Sequence, residues 1–121
     1  MKIIVCDDEK EYLESVRNIL ENIAAEKGIV LQAEYFTEYE TCRKYAEKAK
    51  FDLVVIDMYL DDRLGIELAE ELRRLQGNSF KLIFISAKNS YAAETYELNA
   101  SGYLLKPLDE KLLKKVLLTI L

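Results

Sequence analysis

Apolar residues along the chain follow two alternating periodicities, and this pattern predicts five strand–helix pairs. Short apolar runs rich in β-branched residues are typical of strands covered on both faces in a parallel sheet. They occupy residues 2–6, 30–35, 53–57, 81–86 and 102–105. Between them, apolar residues recur at spacings of three and four, which predicts amphipathic helices. Regular alternation of strand and helix predicts an α/β fold with right-handed crossovers, a parallel sheet and helices on both faces.

Residues at the helix ends refine this pattern. Lys27-Gly28 marks the end of the first helix, because glycine favours the conformation that closes a helix. Thr37 with Glu40 predicts a capping box, Ser90 predicts a cap for a short helix through Leu98, and Asp109 predicts a cap for the last helix. The third helix is expected to face inward at Ile66, Ala69, Leu72 and Leu75, and the last helix to leave Leu113, Leu117 and Leu121 as surplus apolar surface for a partner.

Composition narrows the class of protein. The chain has 121 residues, half of them apolar, which is enough for one domain with one core. A net charge of −5 gives no basic face for nucleic acid, and the absence of histidine removes the commonest general base. Acids follow the first strand directly and no segment is long and apolar enough to span a bilayer, so a cytoplasmic location without membrane contact is predicted. Cys6 and Cys42 are expected to be free, buried thiols.

Polar groups follow four of the predicted strands. Asp7-Asp8 follows the first, Asp57 ends the third, Ser86 ends the fourth and Lys106 follows the fifth. The carboxyl ends of parallel strands open on the same edge, where α/β proteins bind ligands. The sequence therefore predicts one crevice that holds three carboxylates, a hydroxyl and an ammonium.

Three carboxylates at close range repel one another, and one of them would keep its proton unless a cation is present. Mg²⁺ suits such a site because it binds one or two carboxylates together with waters and phosphate oxygens. Asp57 is then a candidate nucleophile that forms an acyl phosphate. Lys106 would neutralise the transferred group, and Ser86 would donate a hydrogen bond to it.

Each of these residues also has a simpler structural interpretation. Asp7, Asp8 and Glu9 suit the positive end of a helix, and Ser86 suits an ordinary cap at the end of a strand. Lys106 suits a solvated position before a turn proline, and Tyr103 suits a core or partly exposed strand. The coincidence of four matching strand ends favours a chemical site over these separate interpretations.

The pattern resembles the receiver domain of bacterial two-component response regulators. The resemblance covers essentially the whole chain and implies a flavodoxin-like, doubly wound, five-stranded parallel sheet in the order 2-1-3-4-5 with five helices. The matching stretches are Ile4-Val5-Cys6-Asp7-Asp8-Glu9, Val55-Ile56-Asp57 with Gly65 eight residues on, Ile85-Ser86-Ala87 and Tyr103-Leu104-Leu105-Lys106-Pro107.

The resemblance implies a role for each matching residue. Asp57 is the phosphoacceptor, and Lys106 pairs with the phosphoryl group. The expected Mg²⁺ ligands are Asp8, Asp57 and the backbone carbonyl of Tyr59, with Asp7 acting through water. The remaining implied features are a cis Lys106–Pro107 bond and a switch pair formed by Ser86 and Tyr103.

Two further features concern the subgroup. Cys6-Asp7-Asp8-Glu9, and the segment from Tyr91 through Asn99-Ala100 to Asp109, resemble receivers joined to a LytTR-type DNA-binding domain. Asp61 departs from the family, where many receivers have proline, which puts the usual geometry of that loop in question. Tyr59 is bulky beside the phosphoryl site, which leaves the access of water to an acyl phosphate open.

The sequence thus predicts a receiver over residues 1–121, with a C-terminal output domain absent from this chain. A sensor histidine kinase would phosphorylate Asp57 with Mg²⁺, and the face of the fourth helix, fifth strand and fifth helix would then control homodimerisation. DNA would be bound only through the missing domain, and the sole catalysis expected is that of the chain's own phosphorylation and dephosphorylation. The alternatives are an unphosphorylated docking or dimerisation module and, less favoured because no second acid stands two residues after Asp57, an aspartyl phosphatase or phosphotransferase.

Overall fold

Five parallel strands form the central sheet in the spatial order β2-β1-β3-β6-β7. The computed structural model describes residues 1–121. The strands are β1 (Lys2–Cys6), β2 (Gln32–Phe36), β3 (Leu53–Asp57), β6 (Lys81–Ser86) and β7 (Gly102–Leu105), and a separate antiparallel hairpin consists of β4 (Tyr59–Leu60) and β5 (Arg63–Leu64). Counted within the main sheet alone, this order is 2-1-3-4-5, so the predicted fold class is confirmed.

Five helices cover both faces of the sheet. They are α1 (Lys10–Lys27), α2 (Tyr39–Lys48), α3 (Gly65–Gln76), α4 (Ala92–Glu97) and α5 (Glu110–Ile120). None of them is both long and apolar enough to cross a membrane.

The core consists of two layers, one on each side of the sheet. Because side chains alternate along a strand, Ile3 and Val5 face α1 and α5, whereas Ile4 and Cys6 face α2 and α3. β3 is buried at all five positions, which explains its unbroken apolar sequence. The two cysteines are free and fully buried, as predicted.

The second strand and the segment after Asp57 differ from the prediction. β2 begins at Gln32 instead of residue 30, and Val30 is 75% exposed outside the sheet. The segment expected to be an open loop forms the β4–β5 hairpin, because Met58 and Leu60 are drawn into the core. Asp61 has a φ of 52° at the hairpin turn, a left-handed conformation that proline cannot adopt.

The predicted helix ends were partly right. Gly28 closes α1 with a φ of 63°, and Asp109 caps α5 by accepting from the backbone N–H groups of Lys111 and Leu112. The caps expected at Thr37 and Ser90 were wrong, because Glu38 and Tyr91 occupy the N-cap positions of α2 and α4 without side-chain capping bonds.

The apolar stripes also needed two corrections. Leu75 is 55% exposed at the end of α3, although Ile66, Ala69 and Leu72 face inward as expected. On α5, Leu113 and Leu117 are fully buried, and the exposed leucines are Leu112 and Leu118. The surplus apolar surface of α5 was therefore assigned to the wrong side of the helix.

Candidate functional site

Backbone hydrogen bonds position the four polar strand ends at one edge of the sheet. The Asp7 N–H donates to the Phe36 carbonyl (3.0 Å), and the Lys106 N–H donates to the Ser86 carbonyl (2.8 Å). The parallel register pairs Asp57 with Ile85, next to Ser86. These bonds continue the ladders past the strand ends, so the polar side chains project from a rigid frame.

The ammonium of Lys106 lies at the centre of this crevice. Its Nζ donates to Asp57 Oδ2 at 3.2 Å, to Asp7 Oδ1 at 3.3 Å and to Glu9 Oε1 at 2.9 Å. It also lies 4.2 Å from the centre of the Tyr12 ring, within the range of a cation–π contact. The side chain of Lys106 is only 7% exposed, so these groups replace most of its hydration.

Four carboxylates surround the same space. Ligand oxygens of Asp7, Asp8, Glu9 and Asp57 all lie within 4.8 Å of one another. The Asp57 Oδ1 accepts from the Tyr59 N–H (3.2 Å), and the Asp8 Oδ2 accepts from the Asp61 N–H (3.3 Å). The Asp7 Oδ2 is buried and accepts no hydrogen bond, although the Lys106 Nζ lies 3.3 Å from it. Carboxylate oxygens from four acids form the donor set that a hard divalent cation accepts, so these residues fit Mg²⁺.

Burial and mutual repulsion shift the pKa values of these acids. Desolvation, followed by the charge of Asp7, raises the pKa of Asp57 to about 7, although Lys106 and the Tyr59 N–H oppose the shift. Desolvation likewise raises the pKa of Asp7 above its usual range. Burial opposes the charge on Lys106, yet its bonds to Glu9, Asp7 and Asp57 together raise the pKa of that amine. The single positive charge of Lys106 thus offsets only part of the negative charge of the acids.

Gly65 allows the chain to pass close to Asp57. A Cβ atom at residue 65 would lie 2.0 Å from the Asp57 carbonyl oxygen and 2.6 Å from Cγ2 of Ile56. The Gly65 N–H also donates to the Met58 carbonyl (2.6 Å). The glycine is therefore needed for a close backbone approach, beyond the turn into α3 that the sequence predicted.

The expected switch residues lie beside this cluster. Ser86 is fully buried, and its Oγ accepts from the Lys88 N–H at 3.1 Å. The hydroxyl of Tyr103 donates to the carbonyl of the same Lys88. The Lys106–Pro107 peptide bond is cis. Ser86 and Tyr103 are thus joined through one loop residue.

Asp7, Asp8, Asp57, Ser86 and Lys106 lie at this edge, and Tyr103 reaches it from within β7 through Lys88. Two neighbours of this cluster were missed. Glu9 makes the shortest contact to Lys106, and the Tyr12 ring lies against the same amine. Their signal in the sequence was their position at the start of α1, directly after Asp7-Asp8. This position brings the first turn of the helix over the crevice.

Comparisons with known proteins agree on one family. A sequence model described as "Response regulator receiver domain" matches residues 3–118. The sensory transduction protein LytT of Bacillus anthracis is 32% identical over 111 residues, and the transcriptional regulatory protein LytR of Staphylococcus aureus (strain N315) is 32% identical over 114 residues. Each match covers 92% of this chain and 43% of the relative, so the chain spans less than half the length of these curated relatives.

A solved structure shows the same architecture. The response regulatory domain of protein mrkE from Klebsiella pneumoniae superimposes with a TM-score of 0.85 at 22% identity. The superposition covers 99% of this chain and 94% of that one. Because the two sequences are only 22% identical, this comparison shows a similarity of fold alone. The LytT and LytR relatives agree with the subgroup that the sequence predicted.

Proposed function

The chain belongs to the response regulator receiver domain family, and we propose that it is a phosphorylation switch whose acceptor is Asp57. The observation that carries this proposal is the buried Asp57 carboxylate, which ends β3 and lies 3.2 Å from the Lys106 ammonium. A carboxylate held at a strand end beside a cation is suited to nucleophilic attack on phosphorus.

Asp8, Asp57 and the backbone carbonyl of Tyr59 would hold Mg²⁺, with Asp7 acting through a water molecule, as the family resemblance implies. When bound, the ion supplies positive charge to the carboxylates and to the phosphoryl oxygens. The Asp7 Oδ2 supports this assignment, because it is buried without a hydrogen bond and shares the Lys106 ammonium with two other carboxylates.

The phosphoryl group would come from a phosphohistidine of a sensor histidine kinase. An oxygen of Asp57 forms a bond to phosphorus while the bond from phosphorus to the imidazole nitrogen breaks. The imidazole keeps the electron pair of that bond and takes a proton from solvent. Lys106 neutralises the oxygens of the transferred group, and the Ser86 hydroxyl donates a hydrogen bond to one of them.

The switch would act through Lys88. The Ser86 Oγ accepts from the Lys88 N–H, and the Tyr103 hydroxyl donates to the Lys88 carbonyl. Movement of Ser86 toward a phosphoryl group therefore disturbs the contact that holds Tyr103, which then rotates inward. Reversing a 1:99 ratio of active to inactive conformations requires about 5.5 kcal/mol of differential stabilisation. Two or three charge-assisted hydrogen bonds of about 1.5–3 kcal/mol each supply an energy of this size.

The surface that responds consists of α4, β7 and α5. Four large apolar side chains are exposed there: Tyr96 at 76%, Leu105 at 48%, Leu112 at 46% and Leu118 at 38%. Exposed acids lie on α4 and exposed lysines on α5, so two copies related by a two-fold axis would bring opposite charges together. The residues are Glu94, Glu97, Lys111 and Lys115. We propose that phosphorylation promotes a homodimer through this face.

The output would lie in a further domain. The relative LytR is described as a transcriptional regulatory protein, and this chain matches 43% of its length. A DNA-binding domain of the LytTR type, attached to the receiver, would convert dimerisation into control of transcription.

Phosphorylation can be tested by intact-protein mass spectrometry after incubation with Mg²⁺ and acetyl phosphate. We expect one phosphate adduct on the native chain, no adduct when EDTA replaces Mg²⁺ and none on Asp57→Asn. The matched control is Asp52→Asn, which removes an exposed carboxylate just before the same strand and should leave the adduct unchanged. An unmodified native chain would instead support the docking module, and an adduct of equal yield on Asp57→Asn would place the acceptor elsewhere.

A further inference from the structure

The β4–β5 hairpin contacts the acid cluster through its backbone. The Tyr59 N–H donates to Asp57 Oδ1 (3.2 Å), and the Asp61 N–H donates to Asp8 Oδ2 (3.3 Å). The carbonyl of Tyr59 is also a proposed ligand of Mg²⁺. The position of the hairpin therefore affects three of the groups that would meet the ion, namely two carboxylates and one carbonyl.

The hairpin is weakly held by its own hydrogen bonds. Each of its strands has only two residues, and a two-stranded hairpin of this kind is marginally stable on its own. Leu60 is buried in the core and anchors one side. The turn, however, consists of two exposed acids, Asp61 and Asp62, and Asp61 adjoins Asp8. Repulsion between these acids and the cluster opposes docking of the turn while no cation is bound.

Arg63 attaches the hairpin to the two helices beside it. On α2, its Nη1 donates to Glu40 Oε1 at 3.0 Å, and its guanidinium lies 3.7 Å from the centre of the buried Tyr39 ring. On α3, its Nη2 and Nε both donate to Glu67 Oε2, at 3.3 and 3.4 Å. Arg63 is also the only basic residue of the hairpin, so these contacts are its main electrostatic attachment.

We infer that Arg63 is a positioning residue for Mg²⁺, because it keeps the hairpin docked with the Tyr59 carbonyl and the Asp8 carboxylate in place for the ion. This inference rests on the proposed function, since it requires that the acid cluster bind Mg²⁺. The guanidinium itself is directed to α2 and α3 and touches no proposed ligand. Apparent affinity scales with the fraction of molecules in the competent conformation, so a smaller docked fraction weakens metal binding.

The first measurement is the affinity for Mg²⁺ by isothermal titration calorimetry. We expect Arg63→Gln to bind the ion roughly two- to fivefold more weakly than the native chain, an effect of the size given by exposed ion pairs. The direction of the change is diagnostic. The chain has a net charge of −5, so loss of a positive charge would by itself tighten the binding of a cation. Equal or tighter binding by Arg63→Gln would overturn the inference.

The matched control is Arg43→Gln. Arg43 donates to the same Glu40 at 3.1 Å, and its other hydrogen bond goes to Glu47 on α2, so it does not hold the hairpin. We expect this variant to bind Mg²⁺ as tightly as the native chain or slightly more tightly. Equal weakening in both variants would assign the effect to the exposed charge network in general and would contradict a specific role for Arg63.

The second measurement separates a local role from a general loss of stability. Hydrogen exchange followed by mass spectrometry reports the opening of the hairpin in a peptide that spans residues 58–65. In EDTA, this peptide should exchange faster in Arg63→Gln than in the native chain, whereas peptides from β1 and β6 should exchange at their native rates. Saturating Mg²⁺ should slow the hairpin peptide to the same rate in both chains. Faster exchange throughout the sheet, or an unchanged hairpin, would show that Arg63 does not act in this way.

These outcomes separate the inference from the proposal beneath it. If the native chain binds no Mg²⁺ and takes up no phosphate, the proposed function fails. If the native chain does both and Arg63→Gln binds the ion equally well, the proposed function stands and the role given to Arg63 is wrong.

Discussion

Replacing Asp57 by asparagine should stabilise the metal-free chain at neutral pH. The pKa of Asp57 is raised from 3.8 to about 7, mainly by desolvation and by the charge of Asp7. Each unit corresponds to about 1.36 kcal/mol, so the ionised carboxylate costs at most about 4 kcal/mol in the folded chain. Neighbouring groups adjust around a charge, and Asp7 and Lys106 share this cost. We therefore expect a gain of about 2 kcal/mol for Asp57→Asn.

The sign of the pH dependence follows from the same shift. The folded chain binds this proton more tightly than the unfolded chain, so the native stability falls as pH rises from about 4 to about 7. Asp57→Asn lacks this group and should not show its share of the fall. The two chains should differ little near pH 4 and fully at pH 8.

The assay is urea unfolding followed by tyrosine fluorescence or circular dichroism, in EDTA, at several pH values between 4 and 8. In a parallel thermal melt, about 2 kcal/mol corresponds to a rise in Tm of roughly 6–12 °C for a chain of this size. Addition of Mg²⁺ should narrow the gap, because ligand at ten times its Kd stabilises the native chain by about 1.4 kcal/mol and Asp57→Asn lacks one proposed ligand. Asp52→Asn, outside the buried cluster, is the control. A less stable Asp57→Asn at pH 8, or a gap equal at both pH extremes, would refute the reasoning.

Two further substitutions test the frame that holds the site. Gly65→Ala places a methyl group 2.0 Å from the Asp57 carbonyl oxygen. We expect the free energy of unfolding in urea to fall by at least about 2 kcal/mol and the yield of the phosphate adduct to fall. An unchanged stability would contradict the close approach. Asp109→Ala removes the cap of α5 and should lower the free energy of unfolding by about 1 kcal/mol. Ser90→Ala should leave it unchanged, because Ser90 caps no helix. Equal effects of the two substitutions in the same assay would contradict these assignments.

The predicted parts of the fold are those that depend on periodicity and topology. The parallel sheet and the shared edge follow from strand–helix alternation, which is why Asp7, Asp57, Ser86 and Lys106 were expected together and are found together. Their chemical roles remain predictions that the phosphorylation experiment has to test. The resemblance to the family added the order of the strands and the cis bond, which periodicity alone does not give.

The missed parts depend on local competition between residues. Thr37 and Ser90 have good capping side chains, yet the helices begin one residue later, at positions set by burial of Tyr39 and Thr95. Val30 is β-branched, yet it lies outside the sheet because the register pairs Lys2 with Gln32. Glu9 was missed because its contact with Lys106 spans 97 positions and depends on the direction in which α1 leaves β1.

The excess of negative charge links the stability of the site to its proposed activity. The cluster holds four carboxylates and one ammonium, a formal charge of −3 when all are ionised, and a divalent cation would reduce it to −1. The same repulsion that raises the pKa of Asp57 is therefore relieved by the ion that the proposed reaction needs. Phosphorylation exchanges one carboxylate charge for roughly −1.5 to −2, taking the charge of phosphomonoesters as a guide for the acyl phosphate, so the net increase within the crevice is at most about one charge. An increase of this size has to be met by donors that are already close, and Lys106 and Ser86 are the groups that β7 and β6 place there.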